Sequence, residues 1–222
     1  MIALAGEILL DLLSPAARGE LSALGQRKSY GDGELIHSRG DPGVGMGIVI
    51  RGRVRLCVLH ATGAQTFVSM VRPGQHFGDI LLFGKSRRRT HDALAEGPVL
   101  IDHYDAQAFE RVLDIPEVLR ALYRVVAQRL SGSMAMNDDL RSMPREAHLA
   151  KILLVLLRQS KSPDSVPCVQ EDLAALLGTS TMTLSKCLGL LKREGLIATG
   201  YRLVRIPDPA RLRAWLATQV TA

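Results

Sequence analysis

Between Lys28 and about Ile101 the chain cannot hold one conformation for long. The runs ELIHS, MGIVIR, RVRLCVL, QTFVSMV and PVLIDHY are short, and GDG, RGD, RG, ATG and RPG separate them. Glycine and proline at such intervals end strands quickly, and turns every several residues predict an all-β sandwich or barrel. Within RVRLCVLH the alternation sets Val54, Leu56, Val58 and His60 on one face, with Arg53, Arg55, Cys57 and Leu59 on the other.

The texture on either side is helical. Two short helices are expected at about 4–13 and 16–26, separated by Ser14-Pro15, a cap and first-turn pair. From Asp105 to Arg141 apolar residues recur at threes and fours: Leu113, Pro116, Leu119, Leu122, Val126, Leu130, Met134 and Leu140. After Pro116 this predicts a single helix of about 20 to 25 residues. Its stripe needs a cover, and a second copy of the same helix is the preferred one. Met143-Pro144 breaks the pattern, because proline disfavours helix at the residue before it. REAHLAKILLVLLRQ at 145–159 reads as a further helix, and SKSPDSVP after it as loop.

The segment VQEDLAALLGTSTMTLSKCLGLLKREGLI, residues 169–197, is more specific. A short helix from Glu171 to Leu177 packs through Leu173, Ala174 and Leu177. Gly178 supplies the turn, and Ser180 or Thr179 caps a second helix with Leu184, Cys187 (or Leu188) and Leu191 inward. Two helices joined by a short glycine turn make a helix-turn-helix, whose second helix enters the major groove. Thr181, Met182, Ser185 and Lys186 then face outward near the helix start, while Lys192 and Arg193 suit the phosphate backbone. YRLVRIPD reads as a wing strand with Arg202 and Arg205 available to phosphate. DPARLRAWLATQV closes the chain as a helix from about 209, with Leu212, Trp215 and Leu216 as core.

Charge agrees with a nucleic-acid partner. Residues 1–143 carry 17 Lys/Arg against 16 Asp/Glu, a net of +1, whereas 144–222 carry 11 against 6, a net of +5. No run of about 18 apolar residues predicts a membrane span. The start MIALAGEILLDLLSP lacks a basic leader, and Cys57, Cys168 and Cys187 are scattered, so a reducing cytoplasm is expected. No clustered ligand set predicts a metal. Without a Walker-type loop, HExxH or paired nucleophile and base, no enzyme is expected either.

The order of β-roll, long helix, helix-turn-helix and wing resembles the CRP/FNR family of bacterial transcription regulators. The likeness rests on IVIRGRVRL (48–56), RPGQHFGDILLFGKSRRRTHDA (72–93) and QEDLAALLGTSTMTLSKCLGLLKREGLI (170–197), and it spans nearly the whole chain. It implies an α+β fold with an effector-binding β-roll over 1–112, a dimerisation helix over 113–143 and a winged helix-turn-helix over 144–222.

The family's phosphate cassette begins with Gly-Glu and ends in Arg-Ser/Thr-Ala. Here Gly78, Asp79, Arg89 and Thr90 stand at those places, with the family's spacing from Gly78 to Arg89. The resemblance implies that backbone N–H groups around Ile80 and Leu81 and the Arg89 guanidinium hold a cyclic phosphate, as amide nests and arginine forks do. Asp79 is implied to accept the ribose 2′-OH, although it is one methylene shorter than the family's glutamate. His91 replaces the small residue after Thr90. The long helix supplies Ser133 and Met134 where the cAMP-responsive activator has a base-reading Thr-Ser pair, and Thr90 offers a hydroxyl to a guanine amino group. Either cAMP or cGMP is therefore the implied effector.

The resemblance also implies a homodimer, double-stranded DNA and RNA polymerase as partners. The family's base-reading Arg-Glu…Arg triad aligns with Thr181, Met182 and Lys186, so a different operator is expected. Other members sense differently. The amino-terminal cysteine cluster of the iron–sulfur type is missing, His37, His60, His76, His91, His103 and His148 are the possible haem ligands, and activity without ligand is a further alternative.

Overall fold

The computed structural model describes residues 7–43, 45–61, 65–83, 87–160 and 162–220. Their contacts divide them into two compact units, 7–130 and 131–220.

The first unit opens with a 3-10 turn at Leu9–Leu12 and helix α1 at Pro15–Leu24. The first expected helix thus reduces to one tight turn, and its residues 4–6 lie outside the described ones. Ser14 caps α1 by accepting from Ala17 N, with Pro15 in the first helical turn. Strands β1 (Gln26–Tyr30), β2 (Leu35–His37), β3 (Gly45–Leu59), β4 (Gln65–Val71), β5 (His76–Phe77) and β6 (Asp92–Asp105) follow. They form an antiparallel sheet of order β1-β6-β3-β4, with β2 on β6 and β5 on β3.

The long strands β3 and β6 run side by side, and their apolar residues fill two clusters. Val49, Val54, Val71, Phe77, Val99 and Ile101 pack together in one. In the other, Met46, Ile48 and Tyr104 meet Leu9 and Leu21 from the first helical segment and Phe109 from helix α3 (Ala106–Leu113). Alternation in β3 holds at Val54, which is buried, and weakens to Leu56 and Val58, which are half-buried; His60 is exposed. Cys57 is fully buried opposite Asp92, itself buried, so at this end of the strand the face expected to be outer is the covered one. Asp92 tolerates burial because its carboxylate accepts from Arg39 N at 2.8 Å and Leu59 N at 2.7 Å.

Helix α4 (Pro116–Ser142) is the long helix expected after Pro116. Val118, Ala121, Leu122 and Val125 are buried, whereas Leu119, Tyr123, Val126, Leu130 and Met134 are exposed. Leu122 therefore belongs to a different face from the stripe it was grouped with. Spacings of three and four merge two neighbouring faces in sequence, and the core of the unit takes only one of them. Among the described residues no single helix is long and apolar enough to cross a membrane.

In the second unit, α5 (Arg145–Gln159) follows directly after Pro144. Helices α6 (Gln170–Leu177), α7 (Thr181–Arg193) and α8 (Pro209–Val220) pack with it. A three-stranded sheet, β7 (Ser165–Pro167), β9 (Leu203–Arg205) and β8 (Ala198–Gly200), forms the wing in the order β7-β9-β8. The expected loop at SKSPDSVP thus contains a strand, which needs β9 beside it to exist. Leu212 is fully buried as expected, while Trp215 and Leu216 are only half-buried. Leu184 is fully buried among apolar neighbours. Truncating it to alanine is expected to cost about 2–5 kcal/mol of unfolding free energy in urea titrations.

Candidate functional site

The cassette is built around the backbone of Arg89. Gly40 N donates to Arg89 O at 2.8 Å, Arg89 N donates to Asp41 O at 2.9 Å, and Gly43 N donates to Arg87 O at 2.8 Å. Main-chain pairing on both sides fixes the direction of the Arg89 side chain, whose Nη1 donates to Gly45 O at 3.1 Å. Gly78 lies under that guanidinium with φ +84°, and a β-carbon there would meet Arg89 Nη1 and stand 2.9 Å from Gly45 O. Only glycine fits, on both conformational and steric grounds. Burial pulls the Arg89 guanidinium below its ordinary pKa, and Asp41 opposes that shift. A half-buried cation with one hydrogen bond to a carbonyl retains capacity for an anion. Arg87 and Arg88 differ from it, since both are exposed and Arg88 Nη1 binds Gly40 O at 2.8 Å.

Asp79 has company that the sequence did not reveal. Its Oδ2 lies 3.3 Å from His76 Nε2, and its Oδ1 lies 3.6 Å from Arg129 Nη1 on α4. Arg129 Nη2 also donates to His76 O at 2.9 Å. Burial pushes the Asp79 carboxyl up, but His76 and Arg129 outweigh it and hold it at about 2. His76 is fully buried, and desolvation pushes its imidazole below its ordinary value. Arg129 gives the Asp79 carboxylate a permanent positive neighbour. His76 follows a turn signal and sits on a two-residue strand, and Arg129 is one of several cations on a long helix. No local pattern joins them.

The other cassette positions are spread more widely. Leu81 is buried and Ile80 is exposed, both in the single helical turn α2 (Ile80–Phe83), and Leu81 N donates to Gly78 O at 3.3 Å. Thr90 is exposed, and its hydroxyl lies 2.9 Å from His91 Nδ1. Gly84, Lys85 and Ser86 of the cassette lie outside the described residues. Ser133, half-buried on α4, belongs to the second unit, while Gly78, Asp79, Arg89 and Thr90 belong to the first.

In the second unit α6 and α7 meet at 93°, a helix-turn-helix angle. Gly178 ends α6 in the left-handed conformation with φ +65°, and Ser180 caps α7 by accepting from Thr183 N. Leu184, Cys187, Leu188 and Leu191 are buried, which turns Thr181, Met182, Ser185 and Lys186 outward at the start of α7. Met182 is 70% exposed, an uncompensated apolar surface beside two hydroxyls. Lys192 and Arg193 are exposed at the far end of the helix. At the wing tip Tyr201 is 91% exposed and Arg202 has φ +52°. Arg205, expected to be available to phosphate, instead pairs with Asp164 at 2.7 Å, a partner supplied by the segment read as loop.

Comparison with known proteins places one family model within each unit. The cyclic nucleotide-binding domain model matches residues 27–115, and the Crp-like helix-turn-helix domain model matches 147–215. The cyclic AMP receptor protein of Thermus thermophilus is 30% identical over 84% of this chain and 86% of its own length. The chain belongs to the CRP/FNR family. Another relative is the HTH-type transcriptional regulator Cmr of Mycobacterium tuberculosis, 31% identical over 90% of this chain and 82% of that protein. The crystal structure of a CRP/FNR-family transcriptional regulator from Thermus thermophilus superposes with a TM-score of 0.71. It is 26% identical over 87% of this chain and 100% of that one. As a CRP/FNR protein, the chain is a DNA-binding regulator with an effector-binding domain, not an enzyme. The exposed face of α4 fits that family's architecture: Leu119, Tyr123, Val126 and Leu130 follow one another at four, three and four residues, the heptad rhythm of a helix pair.

Proposed function

We propose that this protein is a homodimeric transcription regulator whose DNA affinity is set by cAMP or cGMP bound in the β-roll. Arg89 and the amides of the Gly78–Leu81 turn receive the cyclic phosphate. α4 carries the response to α7, whose Ser180, Thr181, Met182, Ser185 and Lys186 meet the bases, while Lys192 and Arg193 hold the backbone. The observation that carries the reading is the Arg89 guanidinium itself. It is aimed by main-chain hydrogen bonds on both sides and stands over a glycine that admits no side chain. The name of the Thermus relative inclines the choice toward cAMP.

Such gating is a coupling free energy between two sites. A duplex selected from random sequence should bind about 5- to 150-fold more tightly when the effector saturates the protein. Fluorescence anisotropy across cAMP and cGMP titrations measures this. Operator affinity that stays constant while a nucleotide is bound would sink the proposal.

A further inference from the structure

We propose that Met182 is a specificity-determining residue that reads the C5-methyl group of a pyrimidine in the major groove, so that one position of each half-site is chosen by a methyl rather than by a hydrogen bond. The inference rests on the reading of α7 as the base-contacting helix given above.

The packed face of α7 sets the direction of Met182. Leu184 and Leu191 are fully buried, and Cys187 and Leu188 are buried between them. Met182 precedes Leu191 by nine residues, about two and a half turns of helix, and so stands diametrically opposite the packed face. It is 70% exposed there. Thr181, one residue earlier, falls on the flank of the helix. Thr183 is turned back on the cap, with its Oγ1 3.1 Å from Ser180 Oγ and its N donating to that oxygen at 3.2 Å. Further along the line of Met182 the helix loses bulk. Gly189 comes about two turns later, and a β-carbon there would meet nothing within 4 Å. Glycine is a poor helix former, and no packing asks for it at this place. Met182 is thus the projecting apolar feature of a helix face that is otherwise low enough to lie close to a surface.

The chemistry of the side chain then restricts what it can meet. A thioether has no donor and only a weak acceptor. Laid against the amine of cytosine or adenine, or against the acceptors of guanine, it would strip water from a polar group and return no hydrogen bond. The thymine methyl is the one apolar group on the major-groove edges of the four base pairs, and an unbranched, polarisable chain closes on it readily. Met182 therefore selects twice, by burying a methyl and by leaving competing edges unsatisfied. 5-Methylcytosine offers the same methyl at the same place.

The test uses the full-length protein and the duplex selected from random sequence. Replacing its thymines with uracil, one at a time, removes only the methyl. At one thymine of a half-site this should weaken binding by about fourfold in anisotropy titrations. In Met182→Ala, which alters an exposed side chain and should melt as the wild type does, thymine and uracil at that position should bind alike. Cytosine placed there should bind the wild type more weakly than thymine, and 5-methylcytosine should recover about fourfold over cytosine. If no uracil substitution weakens binding, the inference is overturned and α7 remains the reading helix. A methyl preference that persists in Met182→Ala also overturns it, and moves the contact to Thr181. If no duplex is enriched from random sequence, base reading by α7 and this inference fall together.

Discussion

Replacing Arg89 with alanine is expected to raise the dissociation constant for cAMP or cGMP by at least about 100-fold, which corresponds to about 2.7 kcal/mol. The guanidinium is half-buried, so its hydrogen bonds to a phosphate are charge-assisted and poorly screened by water. The fold should survive the change. The pairing that ties Arg89 to the segment of residues 40–43 uses its N and O, which alanine keeps. Arg88→Ala is the control, because Arg88 is exposed and its side chain reaches only Gly40 O. Binding of Arg89→Ala within about threefold of wild type would remove the guanidinium from the phosphate site.

The second large effect concerns α4. Leu130 is 61% exposed, and Leu119, Tyr123 and Val126 are exposed on the same helix. Placing a carboxylate there costs an isolated protomer little, but in a closed helix pair it would be buried without a partner, a penalty of several kcal/mol. Leu130→Glu is therefore expected to sediment as a monomer at concentrations where the wild type is a dimer. Its affinity for a two-half-site duplex should fall by about two orders of magnitude, because the second recognition helix no longer arrives with the first. A variant that remains dimeric would show that this face of α4 is not the interface.

Much of this molecule was legible because its punctuation is local. Ser14-Pro15, Gly178 and Ser180 act within a few residues of themselves, and each does what its chemistry predicts. The break at Met143-Pro144 also falls where expected, between α4 and α5. What escaped depends on partners distant in sequence. Strand β7 has three residues, and Ser165 finds its ladder only at Arg205. The same fold brings Asp164 to Arg205, removing a cation that sequence alone left free. Spacing groups Leu122 with the outer stripe because it cannot tell which of two adjacent faces the core will claim. The node of His76, Asp79 and Arg129 is the largest omission. His76 and Arg129 lie 53 positions apart and meet only once the cassette and α4 have packed. Asp79 was legible as a member of the cassette; its prior engagement was not.

One tie joins α4 to α5. Lys151 Nζ on α5 reaches both carboxylate oxygens of Asp139 on α4, at 2.8 and 2.6 Å. The pair spans the Pro144 break, where the backbone hydrogen bonds of one helix stop and those of the next begin. An ion pair in that position links the last turns of α4 to the second turn of α5 across the break. The Lys151 side chain is 40% exposed, so the pair is accessible to dissolved ions and weakens as their concentration rises. The strength of this tie between α4 and α5 is thus partly a property of the surrounding solution.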